Sequence, residues 1–119
     1  MCQSVLWGQV STPSEFLGYT IGTEFSRHAT MVDYFHHLAE QSNWVTYEQY
    51  GTTNERRPLT YAVISTPENL AKIESIKAQN LKQAGIKAGG GASDVAIVWL
   101  SYNVHGNEPS SSEAALLSA

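Results

Sequence analysis

The chain has 119 residues, of which 42% are apolar and 15% are charged, and its formal net charge is −4. This length allows at most one small domain of ordinary globular composition, and the single cysteine, Cys2, excludes an intrachain disulfide and a cysteine-based zinc cluster. The acidic balance excludes the basic surface that nucleic-acid binding needs, and no apolar run reaches the roughly 18–20 residues of a membrane span.

The first 24 residues are predicted to form an N-terminal loop or tail. Pro13, Gly18 and Gly22 interrupt this segment, and these residue types are typical of turns and loops. We therefore expect residues 25–119 to form the folded unit, with residues 1–24 preceding it.

Residues 26–41 are predicted to form a helix with one apolar side. The apolar residues that recur at helical spacing are Met31, Phe35, Leu38 and Ala39, with Tyr34 beside them. His36 and His37 are adjacent, so a helix points them about 100° apart, which is not the i,i+4 spacing of a two-histidine metal clamp. We interpret both, and His28 near the helix start, as structural or surface residues.

Two strands are predicted to follow the helix. Residues 44–50 alternate and are rich in aromatic side chains, and residues 59–65 are β-branched and apolar, so the two segments are expected to pair as an antiparallel hairpin. The turn between them, residues 51–58, is polar and charged. Its residues Glu55, Arg56 and Arg57 are interpreted either as a solvated turn or as a loop that Arg57 holds by pairing with a nearby acid, and a structural role is favoured over a functional one.

A second helix is predicted to begin at Thr66, as the cap, and Pro67, in the first turn. Gly85 is a suitable residue to end it. The residues of its apolar side are Leu70, Ile73, Ile76, Leu81 and Ala84. Residues 86–94 contain three consecutive glycines and are predicted to be a loop. They lack the closing Gly-Lys-Ser/Thr of a phosphate-binding loop.

The apolar run 95–100 predicts a buried strand that leads to His105 and Glu108. Gly106 and Asn107 lie between these two residues, and Pro109 suits the first turn of a helix. The pair would then lie at the carboxyl end of a strand, where open α/β sheets bind ligands. Imidazole nitrogens and carboxylate oxygens both bind zinc, at roughly 2.0–2.2 Å. His105 and Glu108 are therefore candidate zinc ligands, and the alternative is a turn histidine beside a helix-capping glutamate.

Residues 110–119 are predicted to form a final helix, with a possible capping box between Ser110 and Glu113. No glycine, asparagine or basic last turn follows the apolar pattern. We therefore expect this chain to be the opening part of a larger domain.

Two motifs carry a family resemblance. The sequence Val-His-Gly-Asn-Glu-Pro-Ser at 104–110, followed by Ser-Glu-Ala-Ala at 112–115, resembles the first zinc-ligand motif of the zinc carboxypeptidases. That family often has Arg where this chain has Asn107. His-Gly-Asn-Glu also occurs in the aspartoacylase and succinylglutamate desuccinylase deacylases, so this motif alone leaves both classes open.

The predicted hairpin carries the second motif, because residues 50–59 resemble the Gly-x-Ser-x-Glu-Gly-Arg-Pro hairpin of zinc carboxypeptidases. Gly51, Glu55, Arg57 and Pro58 match that pattern, whereas Arg56 stands where the family usually has Gly. The helices and strands also follow the family's order, over roughly residues 25–119. The hairpin favours the carboxypeptidases over the deacylases.

The resemblance implies an α/β fold, here the N-terminal part of a mixed-sheet catalytic domain. It also implies zinc as the cofactor, His105 and Glu108 as two of three protein ligands, and peptide substrates cleaved at their C-terminal end. In the family the third ligand, the carboxylate-binding arginine and the general-base glutamate follow later in the sequence. No catalytic residue is therefore assigned in this chain, and we expect the chain alone to be inactive.

Two other hypotheses remain open: an amide deacylase that acts on acylated amino acids, and a non-catalytic α/β module in which His105 and Glu108 are incidental. Members of the family are commonly exported, and on that resemblance alone a periplasmic or secreted location is suggested.

Overall fold

One antiparallel hairpin and five helices make up the part of the chain that the computed structural model describes, residues 10–119. The elements are α1 (Pro13–Leu17), α2 (His28–Gln41), β1 (Val45–Thr52), β2 (Pro58–Ile64), α3 (Pro67–Leu70), α4 (Ile73–Gln83) and α5 (Pro109–Ser118). The structure is thus mixed α/β, as predicted. Cys2 and the other residues before Val10 in the predicted tail lie outside the described residues. Within residues 10–119, no helix combines the length and apolar character that a membrane crossing requires.

Helix α1 corrects the loop that was predicted around Pro13. The Thr12 backbone N–H donates to Glu15 Oε2 (2.8 Å), and the Thr12 hydroxyl accepts from the Glu15 N–H (3.4 Å), which forms a capping box. Pro13 occupies the first turn, and Gly18 ends the helix with φ +77°. Phe16 packs against the core. The boundary between residues 24 and 25 remains a prediction.

The main core lies between α2, β1 and α5. Its buried side chains are Tyr34, Leu38, Val45 and Leu116. Met31, Phe35 and Ala39 are partly buried against this cluster, so the predicted apolar side of α2 faces it. Leu116 is only 1% exposed, which shows that α5 closes the core although it comes from the other end of the described chain.

The hairpin forms as predicted, with Val45 opposite Ile64 at its open end. Its register shifts between Gln49 and Gly51, which leaves Tyr50 as the extra residue of a β-bulge. In the turn, the Arg56 N–H donates to the Thr53 carbonyl oxygen (2.9 Å), and Arg56 has φ +63°. This left-handed conformation favours glycine, the residue that the resembling motif has at this position.

The segment from Thr66 to Gly85 contains two helices rather than the single one that was predicted. The Thr66 hydroxyl accepts from the Asn69 N–H (3.3 Å) and caps α3. The chain then turns at Lys72, which has φ −112° and ψ 14°, outside the helical region, and α4 begins at the next residue. Gly85, with φ +73°, follows the end of α4, where a C-terminal stop was expected.

The buried strand predicted for residues 95–100 is absent, which corrects the sequence-based expectation. These residues form no regular element, and Val98 and Trp99 are 77% and 75% exposed. A strand needs a neighbour for its backbone N–H and C=O groups. Within residues 10–119, β1 and β2 pair with each other and neither pairs with this segment.

Candidate metal centre

The turn that joins residues 95–104 to α5 brings the two candidate ligands together. The Glu108 N–H donates to the His105 carbonyl oxygen (3.0 Å) and closes the turn around Gly106 and Asn107. Glu108 occupies the N-cap position of α5, and Pro109 begins the helix as predicted. The Glu108 side chain makes no capping hydrogen bond. Its carboxylate is therefore available to a neighbouring group instead.

That neighbouring group is the imidazole of His105, whose Nδ1 lies 3.2 Å from Glu108 Oε1. Two donors that each lie about 2.1 Å from a tetrahedral zinc ion stand about 3.4 Å apart, so this pair fits a shared zinc ion. The two side chains are 71% and 55% exposed, so solvent and an incoming ion can reach them. The structure thus brings the side chains of both sequence-predicted residues within hydrogen-bond distance of each other.

The described residues do not complete a metal site by themselves. No group of three or more His, Cys, Asp or Glu residues within residues 10–119 is arranged to hold a metal ion. A catalytic zinc site normally has three protein ligands and one open position. Within these residues, the pair at the start of α5 therefore has no third candidate ligand beside it.

Helix α5 is anchored by its own buried residues, which position Glu108 at its start. Ala115 and Leu116 are buried, and so is the charged Glu113. The Glu113 carboxylate accepts hydrogen bonds from the Gly22 N–H and from the Ser26 hydroxyl (3.0 Å). The predicted capping box from Ser110 to Glu113 is therefore wrong, because the carboxylate faces the segment before α2. No local pattern signals this contact, since its partners are 87 and 91 positions away.

The three other histidines belong to α2 and not to this turn. His36 is exposed, and its Nδ1 lies 3.2 Å from Oε1 of Glu40, one helical turn later. His37 packs its ring against Phe16, with the ring centroids 5.2 Å apart. His28 is the exposed first residue of α2. Their surroundings agree with the structural or surface roles expected for them.

A comparison with protein families now adds to this geometry. The model of the zinc carboxypeptidase family matches residues 31–119, a region that includes both the hairpin and the candidate metal centre. Because the match covers well over half of the chain, the protein belongs to the zinc carboxypeptidase family, which is a family of peptidases. Comparisons with curated proteins and with solved structures gave no match.

Proposed function

We propose that this chain supplies His105 and Glu108 as two of the three zinc ligands of a metallocarboxypeptidase that removes residues from the C-terminal end of peptides. The observation that carries the proposal is the 3.2 Å separation of Nδ1 and Oε1 in a turn that the family match includes. The family match supports a peptidase rather than an amide deacylase.

The chemistry of the pair follows from its hydrogen bond. An ionised carboxylate only accepts, so the hydrogen in this contact lies on Nδ1 of His105. If zinc were held here, His105 would bind it through the Nδ1 lone pair, so the proton of the neutral ring would lie on Nε2, and Glu108 Oε1 would be the second ligand. Zinc bound there supplies Lewis acidity and lowers the pKa of a bound water toward about 7.

The third ligand and the general base are not assigned to residues 10–119, because these residues hold no larger cluster of ligands. With two ligands and no base to accept the water's proton, zinc affinity and turnover are both expected to be far below those of a complete site. We therefore propose that this chain alone does not hydrolyse peptides.

Zinc titration followed by NMR of the His105 ring tests the metal site. We expect wild type to bind zinc, and His105→Ala and Glu108→Ala to lose that binding. The matched control is the His36–Glu40 pair, which has the same 3.2 Å separation on the exposed surface of α2. His36→Ala should leave the zinc titration of His105 unchanged. Equal zinc uptake by wild type and by both ligand variants would contradict the proposal and leave only the hypothesis of a non-catalytic α/β module.

Two further observations test the reaction. Release of a C-terminal amino acid from a peptide should stay at the level of the protein-free blank, with and without zinc. Zinc-dependent release that Glu108→Ala abolishes would overturn the proposed inactivity. Coding sequence beyond codon 119 that supplies a further histidine and later a glutamate would support the carboxypeptidase, and its absence would count against it.

A further inference from the structure

The residue two positions before His105 has an unusual backbone. Asn103 has φ +54°, and within residues 10–119 the only other non-glycine residue with positive φ is Arg56. Asparagine tolerates the left-handed region better than most residues, so the strain is modest, but it still needs a compensating contact. The side chain of Asn103 provides that contact.

The Asn103 amide faces two backbone carbonyl oxygens, those of His105 and Glu108. Only the orientation with nitrogen toward these acceptors satisfies the amide, and in that orientation it donates to Glu108 O (3.0 Å) and His105 O (3.3 Å). One side chain therefore joins the backbones of both candidate ligands. The Glu108 N–H also donates to the His105 carbonyl oxygen (3.0 Å), so a backbone hydrogen bond and the Asn103 side chain both hold this turn.

The relative position of His105 and Glu108 depends on the hydrogen bonds of the Asn103 amide, because burial does not hold the two side chains in place. Both side chains are more than half exposed, and the segment that precedes them makes no strand pairing. Glu108 is attached to α5, which is fixed in the core through Leu116. His105 is not part of that core, so its position relative to Glu108 depends on the turn and on the Asn103 amide. A more distant contact also ties this segment to α5, because the Tyr102 hydroxyl oxygen lies 2.6 Å from Ser118 Oγ.

We propose that Asn103 is a positioning residue of the metal centre: its amide holds the His105–Glu108 turn in the form that places both donor atoms on one ion. This inference rests on the proposed function, because it assigns Asn103 to the same zinc pair. Groups that orient metal ligands typically change metal affinity by about 10–100-fold when they are removed.

Asn103→Gly tests the proposal, since glycine keeps the left-handed backbone and removes only the amide. We expect zinc affinity, measured by titration of the His105 ring signals, to fall by about 10-fold or more. The matched control is Arg56→Gly, which places glycine at the other left-handed residue, in the hairpin turn. It should leave zinc affinity unchanged. Asn103→Gly should keep the wild-type unfolding midpoint within a few degrees, so that its loss of zinc affinity is not a loss of folding.

A second variant gives a readout without metal. Asn103→Asp keeps the size of the side chain but presents an acceptor to two carbonyl oxygens. We expect ¹⁵N relaxation in zinc-free protein to show increased backbone motion at residues 105–108 in both Asn103 variants and not in Arg56→Gly.

The outcomes separate the two proposals. If wild type binds zinc through His105 and Asn103→Gly binds it equally well, the positioning role is wrong and the proposed function stands. If wild type binds no more zinc than His105→Ala, the proposed function fails and the positioning role fails with it. Unchanged ¹⁵N relaxation at residues 105–108 in both Asn103 variants would also contradict the positioning role of Asn103.

Discussion

The Glu113 carboxylate in the last helix accepts a hydrogen bond from the Ser26 hydroxyl, with Oε1 and Oγ 3.0 Å apart, although 87 positions separate the two residues. Ser26 Oγ also lies 2.8 Å from the Tyr19 hydroxyl oxygen, and the other Glu113 oxygen accepts from the Gly22 N–H. This network joins α5 to the segment between α1 and α2. Because Glu108 is the N-cap residue of α5, the network also contributes to the placement of a candidate zinc ligand.

Replacement of Glu113 is expected to destabilise the fold. Glu113→Ala leaves the Gly22 N–H and the Ser26 hydroxyl without their acceptor, and should lower the free energy of unfolding by about 2–3 kcal/mol in urea titrations. Glu113→Gln keeps one acceptor oxygen and should lose about 1 kcal/mol. Glu24→Ala, at an exposed residue of the same segment, is the control and should stay within about 0.5 kcal/mol of wild type. A Glu113→Ala protein as stable as wild type would contradict the role of the network.

Two adjacent leucines of α5 provide a matched test of the core. Leu116 is 1% exposed and Leu117 is 65% exposed. Leu116→Ala creates a cavity between α2 and α5 and should cost about 2–5 kcal/mol of unfolding free energy, whereas Leu117→Ala should change it by less than about 0.5 kcal/mol. Thermal or urea unfolding measures both. Similar losses in the two variants would mean that α5 does not pack through Leu116.

Arg56→Gly is expected to stabilise the hairpin. Arg56 has φ +63°, a left-handed conformation that costs a non-glycine residue about 1–2 kcal/mol. Part of the gain is lost because glycine makes the unfolded chain more flexible, so a net increase of about 0.5–1 kcal/mol in unfolding free energy is expected. Asn54→Gly, in the same turn at a residue without positive φ, should instead lower stability by about 0.4–1 kcal/mol. The turn assignment fails if both glycine variants lose stability.

The capping box of α1 predicts an acid-dependent contribution to stability. Hydrogen bonds from the Thr12 backbone N–H, and then from its hydroxyl, lower the pKa of Glu15 below its ordinary value of 4.5. Because the pKa is lower in the folded state, this contribution is fully present above pH 4.5 and is lost as the pH falls through the folded value.

NMR titration of the Glu15 carboxyl should show the lowered pKa directly. Urea unfolding of wild type and of Glu15→Gln between pH 7 and pH 3 should show that only wild type gains this increment as the pH rises. Thr12→Ala should return the Glu15 pKa toward its ordinary value. Identical pH profiles for wild type and Glu15→Gln would contradict the capping box.

Because segment 95–100 is exposed, we expect the fold to tolerate a charged side chain there. Val98 is 77% exposed, so Val98→Lys should change the unfolding free energy by less than about 0.5 kcal/mol. Val63→Lys is the comparison, because Val63 lies within the paired strand β2 and is only partly exposed, and a larger loss is expected there. A large loss in Val98→Lys would restore the buried strand that the sequence predicts.

Short-range signals in the sequence predicted much of this structure. Thr66 and Pro67 begin α3, Gly85 follows the end of α4, and Pro109 begins α5, because caps and turns depend on residues only a few positions apart. Thr12 and Glu15 form a capping box that was equally local and could have been predicted. It was missed because Pro13 and Gly18 were interpreted only as loop residues. The closeness of His105 and Glu108 was likewise local, since a short turn joins them.

The sequence by itself determined the hairpin, several helix ends and the closeness of His105 and Glu108, because each rests on backbone preferences and hydrogen bonds within a few residues. Only the tertiary structure decided that Glu113 binds Ser26 rather than capping its own helix, and that the apolar run before His105 lies exposed. Both outcomes depend on which distant segment is available as a partner. A carboxylate removed from water needs hydrogen-bond donors, and a buried strand needs a neighbouring strand for its backbone groups. Sequence periodicity does not specify where in the chain those partners lie.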